Sequence, residues 1–269
     1  MTATALRQRA RADRSAPPAR MSLWRLEWLR LTRTPRAIAL AAIFLFIGFI
    51  EPVATKYEND LLSRVGHGQR FALPPPTPAD GLGSYVSEIS VIGLVVVVAI
   101  AASALSFDAH KGLAIFLRSR VTSLWRLVLP PFMASAAAAA VAYVLGTLAA
   151  CYETAVLIGS LPAGQVAAGV LCLIVYLTFA VAVTAFASSL VRSTIGTVAI
   201  TLGILLVLPV AGIIKRISNW LPSDLPGAPA ALASGSEHLS HFAPSIGVAI
   251  VAGLALLFLA VRRLGAREI

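Results

Sequence analysis

The chain has 269 residues, 58% hydrophobic and 13% charged, with a mean hydropathy of +0.84. Soluble domains carry about 25% charged residues, so this composition excludes an ordinary water-soluble fold and points to the membrane. The formal net charge of +10 would suggest nucleic acid if the basic residues formed one patch. They are scattered over several short loops, and a nucleic-acid partner is not expected.

Residues 1–20 carry Arg7, Arg9, Arg11, Arg14 and Arg20 among Ala, Ser and Pro. No apolar stretch follows at the distance a secretory signal requires, so they read as a disordered, basic cytoplasmic tail. Residues 21–36, "MSLWRLEWLRLTRTPR", place Trp24, Trp28 and Leu31 on one helical face, with Ser22, Arg30 and Arg33 largely turned away. Tryptophans at the headgroup level with Arg30 reaching water predict an interfacial elbow helix lying in the membrane plane. Pro35 then ends it and turns the chain into the bilayer. The alternative is a plain extension of the first span.

A membrane helix needs about 20 mainly apolar residues. Six segments qualify: 37–55, 85–107, 127–150, 165–189, 194–214 and 242–261. The expected fold is therefore all-α, an integral membrane six-helix bundle over residues 37–264. The first segment is the shortest in uncharged residues and must carry Glu51 near one end. Lys and Arg set the orientation. The amino-terminal tail, the loops after the second and fourth spans and the carboxyl tail hold 17 of the 22. Cytoplasmic segments carry that excess, so both termini are expected in the cytoplasm.

Between spans, "LPPPTP" (residues 73–78) favours an extended, stiff conformation. "SSLVRST" (residues 188–194) is a tight hairpin between antiparallel helices. In the outer loop 215–241, prolines predict turns, and residues 228–235 suit a short helix resting on the outer surface. Spans in lipid pack through small residues. Ala134, Ala138, Ala142 and Gly146, continued by Ala150, form such a stripe on the third span, and Ser245, Ala249 and Gly253 a shorter one on the sixth. Pro209 is expected to bend the fifth span.

Most enzyme chemistry is missing. There is no GxxxxGK[ST] phosphate loop. His67, His110, His238 and His241 all fall outside the expected spans, which leaves an intramembrane serine hydrolase without its base. "EHLSH" (residues 237–241) holds two histidines three apart, half of a metal site with no further ligand, so no metal centre is expected. Cys151 and Cys172 make neither a metal spacing nor a disulfide framework. Glu51 and Glu88 are the two carboxylates near the membrane interior. Acidic groups there are costly and kept for a use; these two either sit at the interface or face a translocation vestibule open to the outside.

The order of these features resembles the six-span permease subunits of type-2 ATP-binding cassette transporters. Four elements carry the resemblance: the in-plane helix before the first span; Asp108, Lys111 and Gly112 followed by "LAIFL" and then Arg118, Arg120 and Arg126; "AFASSLVRSTIGTVAITLGILL" (residues 185–206); and a long outer segment containing Leu221-Pro222. It covers nearly the whole chain from Met21. The chain differs from the family in having Leu113 after the glycine, Pro130-Pro131 entering the third span, and a rather long first outer loop.

The resemblance implies that residues 108–126 form a cytoplasmic coupling helix docking on a separate ATP-binding subunit. Asp108, Lys111, Gly112, Phe116, Arg118 and Arg120 would make the contact. It further implies alternating access in a homodimer or heterodimer of permeases joined through the first and fifth spans, in the plasma (inner) membrane, and export of a substrate. This chain would then bind no cofactor and catalyse no reaction, with ATP and Mg on the partner. A membrane structural or assembly protein without a transport cycle is the competing reading.

Overall fold

The computed structural model describes residues 35–65, 74–106, 125–213 and 218–266, with side chains from Arg36 to Glu58 in the first stretch. The fold is all-helical among these residues. The helices are α1 (Pro35–Val65), α2 (Pro78–Leu105), α3 (Trp125–Leu157), α4 (Ala163–Ser188), α5 (Thr194–Ala211), α6 (Ala228–Ala233) and α7 (Leu239–Ala266). A 3-10 turn, Pro222–Gly227, precedes α6, and a π-helical turn, Ile89–Gly93, interrupts α2. Among the described residues, six helices, all but α6, are long and apolar enough to cross a membrane. The chain is a multi-pass α-helical membrane protein.

Contacts between opposite helix ends show that successive spans run antiparallel. Arg36 Nη1 donates to Ser103 Oγ at 3.0 Å, joining the start of α1 to the end of α2. Ser106 and Thr197 hydroxyls meet at 3.2 Å, joining the end of α2 to the start of α5. Trp125 at the start of α3 lies against Phe258 near the end of α7, ring centroids 6.3 Å apart. All these lie at one end of the bundle, called here the terminal end; the opposite end is the far end. The terminal end exposes Arg36, Arg126, Arg192, Arg262 and Arg263.

α3 and α4 are the most enclosed spans and α5 the least. α1 packs on α3, α2 fits among α3, α4 and α5, and α7 lies along α4. Small residues set these distances. A Cβ on Gly48 of α1 would collide with the Gly146 carbonyl oxygen, and one on Gly146 would lie 2.6 Å from the Phe44 carbonyl oxygen. Of the α3 stripe, Ala134, Ala142 and Gly146 are buried and Ala138 half-buried. On α7, Ser245, Ala249 and Gly253 are buried, with Gly253 facing Phe179 and Ala182 of α4. Several hydroxyls inside the spans are satisfied within their own helix: Thr147 donates to Tyr143 O at 2.9 Å and Thr184 to Ala180 O at 2.9 Å, while the hydroxyls of Ser135, Tyr143 and Thr154 of α3 are buried without a partner among the described residues.

Helix ends differ from the sequence expectation in ways local chemistry explains. The second span, expected at 85–107, begins at Pro78 and ends at Leu105. Proline suits the first helical turn, and the Thr77 N–H and hydroxyl both donate to Asp80 Oδ2, at 2.8 and 2.6 Å. That cap starts the helix two turns early, so Pro78 of "LPPPTP" is helical. α1 continues past Thr55 to Val65, which puts Glu51 in the helix interior rather than near an end. α3 and α7 likewise extend beyond 127–150 and 242–261. The hairpin between α4 and α5 is as short as expected, and Ser193 caps α5 by accepting from Gly196 N at 3.1 Å.

The short helix is α6, but it does not rest on the surface. Ala228, Pro229 and Leu232 are buried, and Pro229 sits directly on Gly169 of α4, where any Cβ would collide with its Cα. α6 packs against α2 and α4, wedged into the far end of the bundle. Its apolar composition, "APAALA", allows that depth. Gly235, at φ 72, ends the segment in the left-handed region open to glycine.

Candidate functional site

The sequence singles out Glu51 and Glu88, and the structure brings them together. Thr55 of α1 and Ser84 of α2 meet at 2.7 Å between hydroxyl oxygens. Glu51 precedes Thr55 by one turn, and Glu88 follows Ser84 by one turn. Because α1 and α2 are antiparallel, both carboxylates fall on the same level of one seam, one turn toward the terminal end. Each is half-buried. Among the described residues neither carboxylate has an ion-pair partner.

Both helices are irregular at this level. Pro52 follows Glu51 inside α1 and has no N–H to return to the carbonyl of Gly48 one turn back. The π-helical turn of α2 starts at Ile89, directly after Glu88. Its Gly93 leaves room for the Phe44 ring of α1, whose Cζ would lie 3.0 Å from an added Cβ. Backbone irregularity at membrane depth is tolerated where protein or a polar cavity meets the freed groups, and π turns concentrate at functional sites.

Glu88 lies ten residues into α2, about 15 Å along its axis at 1.5 Å per residue, deeper in its helix than a span starting at 85 implied. Beneath the acidic pair, Tyr85 stacks on Tyr143 of α3 at 6.2 Å, and its hydroxyl donates to the Tyr143 carbonyl at 3.2 Å. The seam is thus polar on the α1–α2 side and backed by aromatic packing on α3. Two unpaired carboxylates at one level of a seam can hold a shared proton, a cation or a cationic group of a substrate.

The other sequence-selected residues are distributed differently. Trp24, Trp28 and Arg30, and Asp108, Lys111, Gly112, Phe116, Arg118 and Arg120, lie outside the described residues. The small-residue stripe Ala134, Ala138, Ala142 and Gly146 backs the acidic seam through the contact of Gly146 with Gly48. Sequence reasoning missed Gly48, Gly169 and Asp224. A lone glycine in an apolar run was the available signal for the first two. Asp224 carried no signal, because its partner, His241, stands 17 residues later in the chain.

Among the described residues no group of three or more His, Cys, Asp or Glu is placed to hold a metal ion. No family model, no curated protein and no solved structure matches the chain.

Proposed function

We propose that this chain is the six-span permease subunit of an ATP-binding cassette exporter in the plasma (inner) membrane, with both termini cytoplasmic and ATP hydrolysed by a separate subunit. The observation that carries the reading is the acidic seam. A six-span bundle holding two unpaired carboxylates at one level beside irregular backbone has the makings of a transport path, whereas a purely structural bundle gains nothing from that arrangement. Glu51 and Glu88 line the vestibule of that path on the far side. The segment joining α2 to α3 leaves the bundle at its arginine-rich terminal end, where cytoplasmic charge belongs. A coupling helix at 108–126 would meet its ATPase there. A second permease, the same or different, completes the path.

The test is affinity purification of the tagged protein from its native membrane in mild detergent, with mass spectrometry of what accompanies it. A stoichiometric soluble ATPase, lost when Arg118→Glu and Arg120→Glu are introduced together, supports the reading. A protein that purifies alone, or an ATPase retained by the double variant, favours the assembly-protein reading or removes the coupling assignment.

A further inference from the structure

At the far end, one imidazole stands between two carboxylates from different parts of the chain. His241, in the first turn of α7, has Nε2 3.7 Å from Asp224 Oδ2 of the 3-10 turn and Nδ1 3.4 Å from Glu237 Oε2. The carboxylates face opposite ring nitrogens, so the three groups do not converge on a common ion. They pose a proton requirement instead. A neutral imidazole donates from one nitrogen; only imidazolium has an N–H for each carboxylate.

The segment that Asp224 belongs to is the one wedged into the bundle. Leu225 and Ala228 are fully buried and Leu232 nearly so. Two polar contacts tie its flanks to α7: the Asp224–His241 pair and the Ser245 hydroxyl, which donates to the Asn219 carbonyl at 2.8 Å. Asp224 Oδ2 is itself buried without a hydrogen bond. Burial pushes the Asp224 carboxyl above the ordinary carboxylate range, Glu237 adds to that, and His241 opposes it. Of the elements packed on the wedge, α2 carries the carboxylates Asp80 and Glu88. α4, α5 and α6 carry no charged residue in their described lengths, the Phe242 ring stands edge-on at 5.1 Å, and His238 adjoins in sequence.

We propose that His241 is a proton-operated clasp that holds the Pro222–Ala233 wedge against the start of α7 when charged and releases it when neutral. The proposal stands on this geometry and is independent of the transporter reading. The clasp needs the imidazolium and the carboxylates charged together. Imidazole groups change charge between about pH 5 and 8. The hold on the wedge therefore weakens as pH rises through that window.

Hydrogen–deuterium exchange of the purified full-length protein in detergent tests this, following peptides from residues 222–233 at about pH 5.5 and about pH 8, corrected for intrinsic exchange rates. The expected result is protection about three- to fivefold lower at the higher pH, the scale of a partly exposed ion pair. His241→Gln should show the lower protection at both values, and His241→Arg, which keeps its charge, the higher at both. If His241→Gln does not purify, Asp224→Asn should also flatten the response. Equal protection of the unaltered protein at the two values overturns the proposal, and so does a pH response that survives in His241→Gln.

Discussion

Helix α1 presents two seams that solve opposite problems. Toward α3 it closes on glycine, Gly48 against Gly146, with Ala149 beside them and the Tyr85 hydroxyl at the edge of the contact. Toward α2 it carries Glu51 and Thr55 against Glu88 and Ser84, with proline in one helix and a π turn in the other. Lipid tails are as apolar as leucine, so close van der Waals approach is what holds the first seam. The second holds groups that a membrane protein keeps only at a cost. One seam is for folding; the other needs a different reason to exist.

The largest effect should come from breaking the first. Gly146→Leu would drive a side chain into the Tyr85 hydroxyl and the Phe44 backbone. Backbone cannot yield as a flexible side chain does, and we expect a cost of about 3 kcal/mol or more, seen as loss of the monodisperse peak in size-exclusion chromatography. Gly203→Leu on α5 is the matched control. Nothing lies within 4 Å of a Cβ there, so the same substitution should leave the peak intact. Equal damage from both would show that helix propensity or insertion, not the α1–α3 approach, governs the outcome.

The second seam should respond in the opposite way. Replacing both carboxylates, Glu51→Gln with Glu88→Gln, removes like charges from a half-buried level and should leave the melting temperature unchanged or higher. If the seam is a transport vestibule, substrate-stimulated ATPase activity of the assembled complex should fall by about tenfold or more, the scale of a lost charged interaction. A variant that melts lower with activity intact would make the pair structural and collapse the contrast between the two seams.

Much of this comparison was legible in the sequence, and unevenly. Apolar runs and arginine placement carry the span count and the bundle class because hydrophobic thickness and charge exclusion act locally. The small-residue stripe of α3 was visible for the same reason: a four-residue repeat reports one face of a helix. Its partner was not, since Gly48 has no repeat of its own and only tertiary contact pairs it with Gly146. Glu51 and Glu88 stood out as rare carboxylates, but their common level depends on where α2 begins. That start is set by Pro78 and the Thr77–Asp80 cap, a polar turn that hydropathy places outside the span. The wedge was legible as a short helix, yet its depth depends on Gly169, which gives Pro229 its room. Residue pairs far apart in sequence, such as Asp224 with His241, leave no local pattern.

A smaller effect tests how the wedge is held. Ser245→Ala removes the hydrogen bond to the Asn219 carbonyl and leaves that acceptor without its donor. The expected loss is about 1 kcal/mol, read as a lower melting temperature with the bundle still assembled. No change would mean that Pro229 on Gly169, the buried Leu225 and Leu232 and the Asp224–His241 pair hold the wedge without help from Ser245.

The smallest effect is the most informative about the polar seam. Among the described residues Thr55 and Ser84 form its direct hydroxyl–hydroxyl contact, but each also has a carbonyl of its own helix within reach, Glu51 at 2.9 Å for Thr55 and Asp80 at 3.0 Å for Ser84, so one can donate there while the other donates to its neighbour. A hydroxyl with a partner in its own helix loses little when its neighbour is removed. Side-chain hydrogen bonds between membrane helices couple by about 0.6 kcal/mol on average. A double-mutant cycle of Thr55→Val and Ser84→Ala, read by equilibrium unfolding in detergent, should return that value or less. A coupling above about 2 kcal/mol would exceed the range known for such pairs and would make the seam a structural clamp. At the expected value, neither the hydroxyls nor the repelling carboxylates account for holding α1 to α2. The stability of α1 then rests on its glycine seam, and its polar face is left free for the role proposed for it.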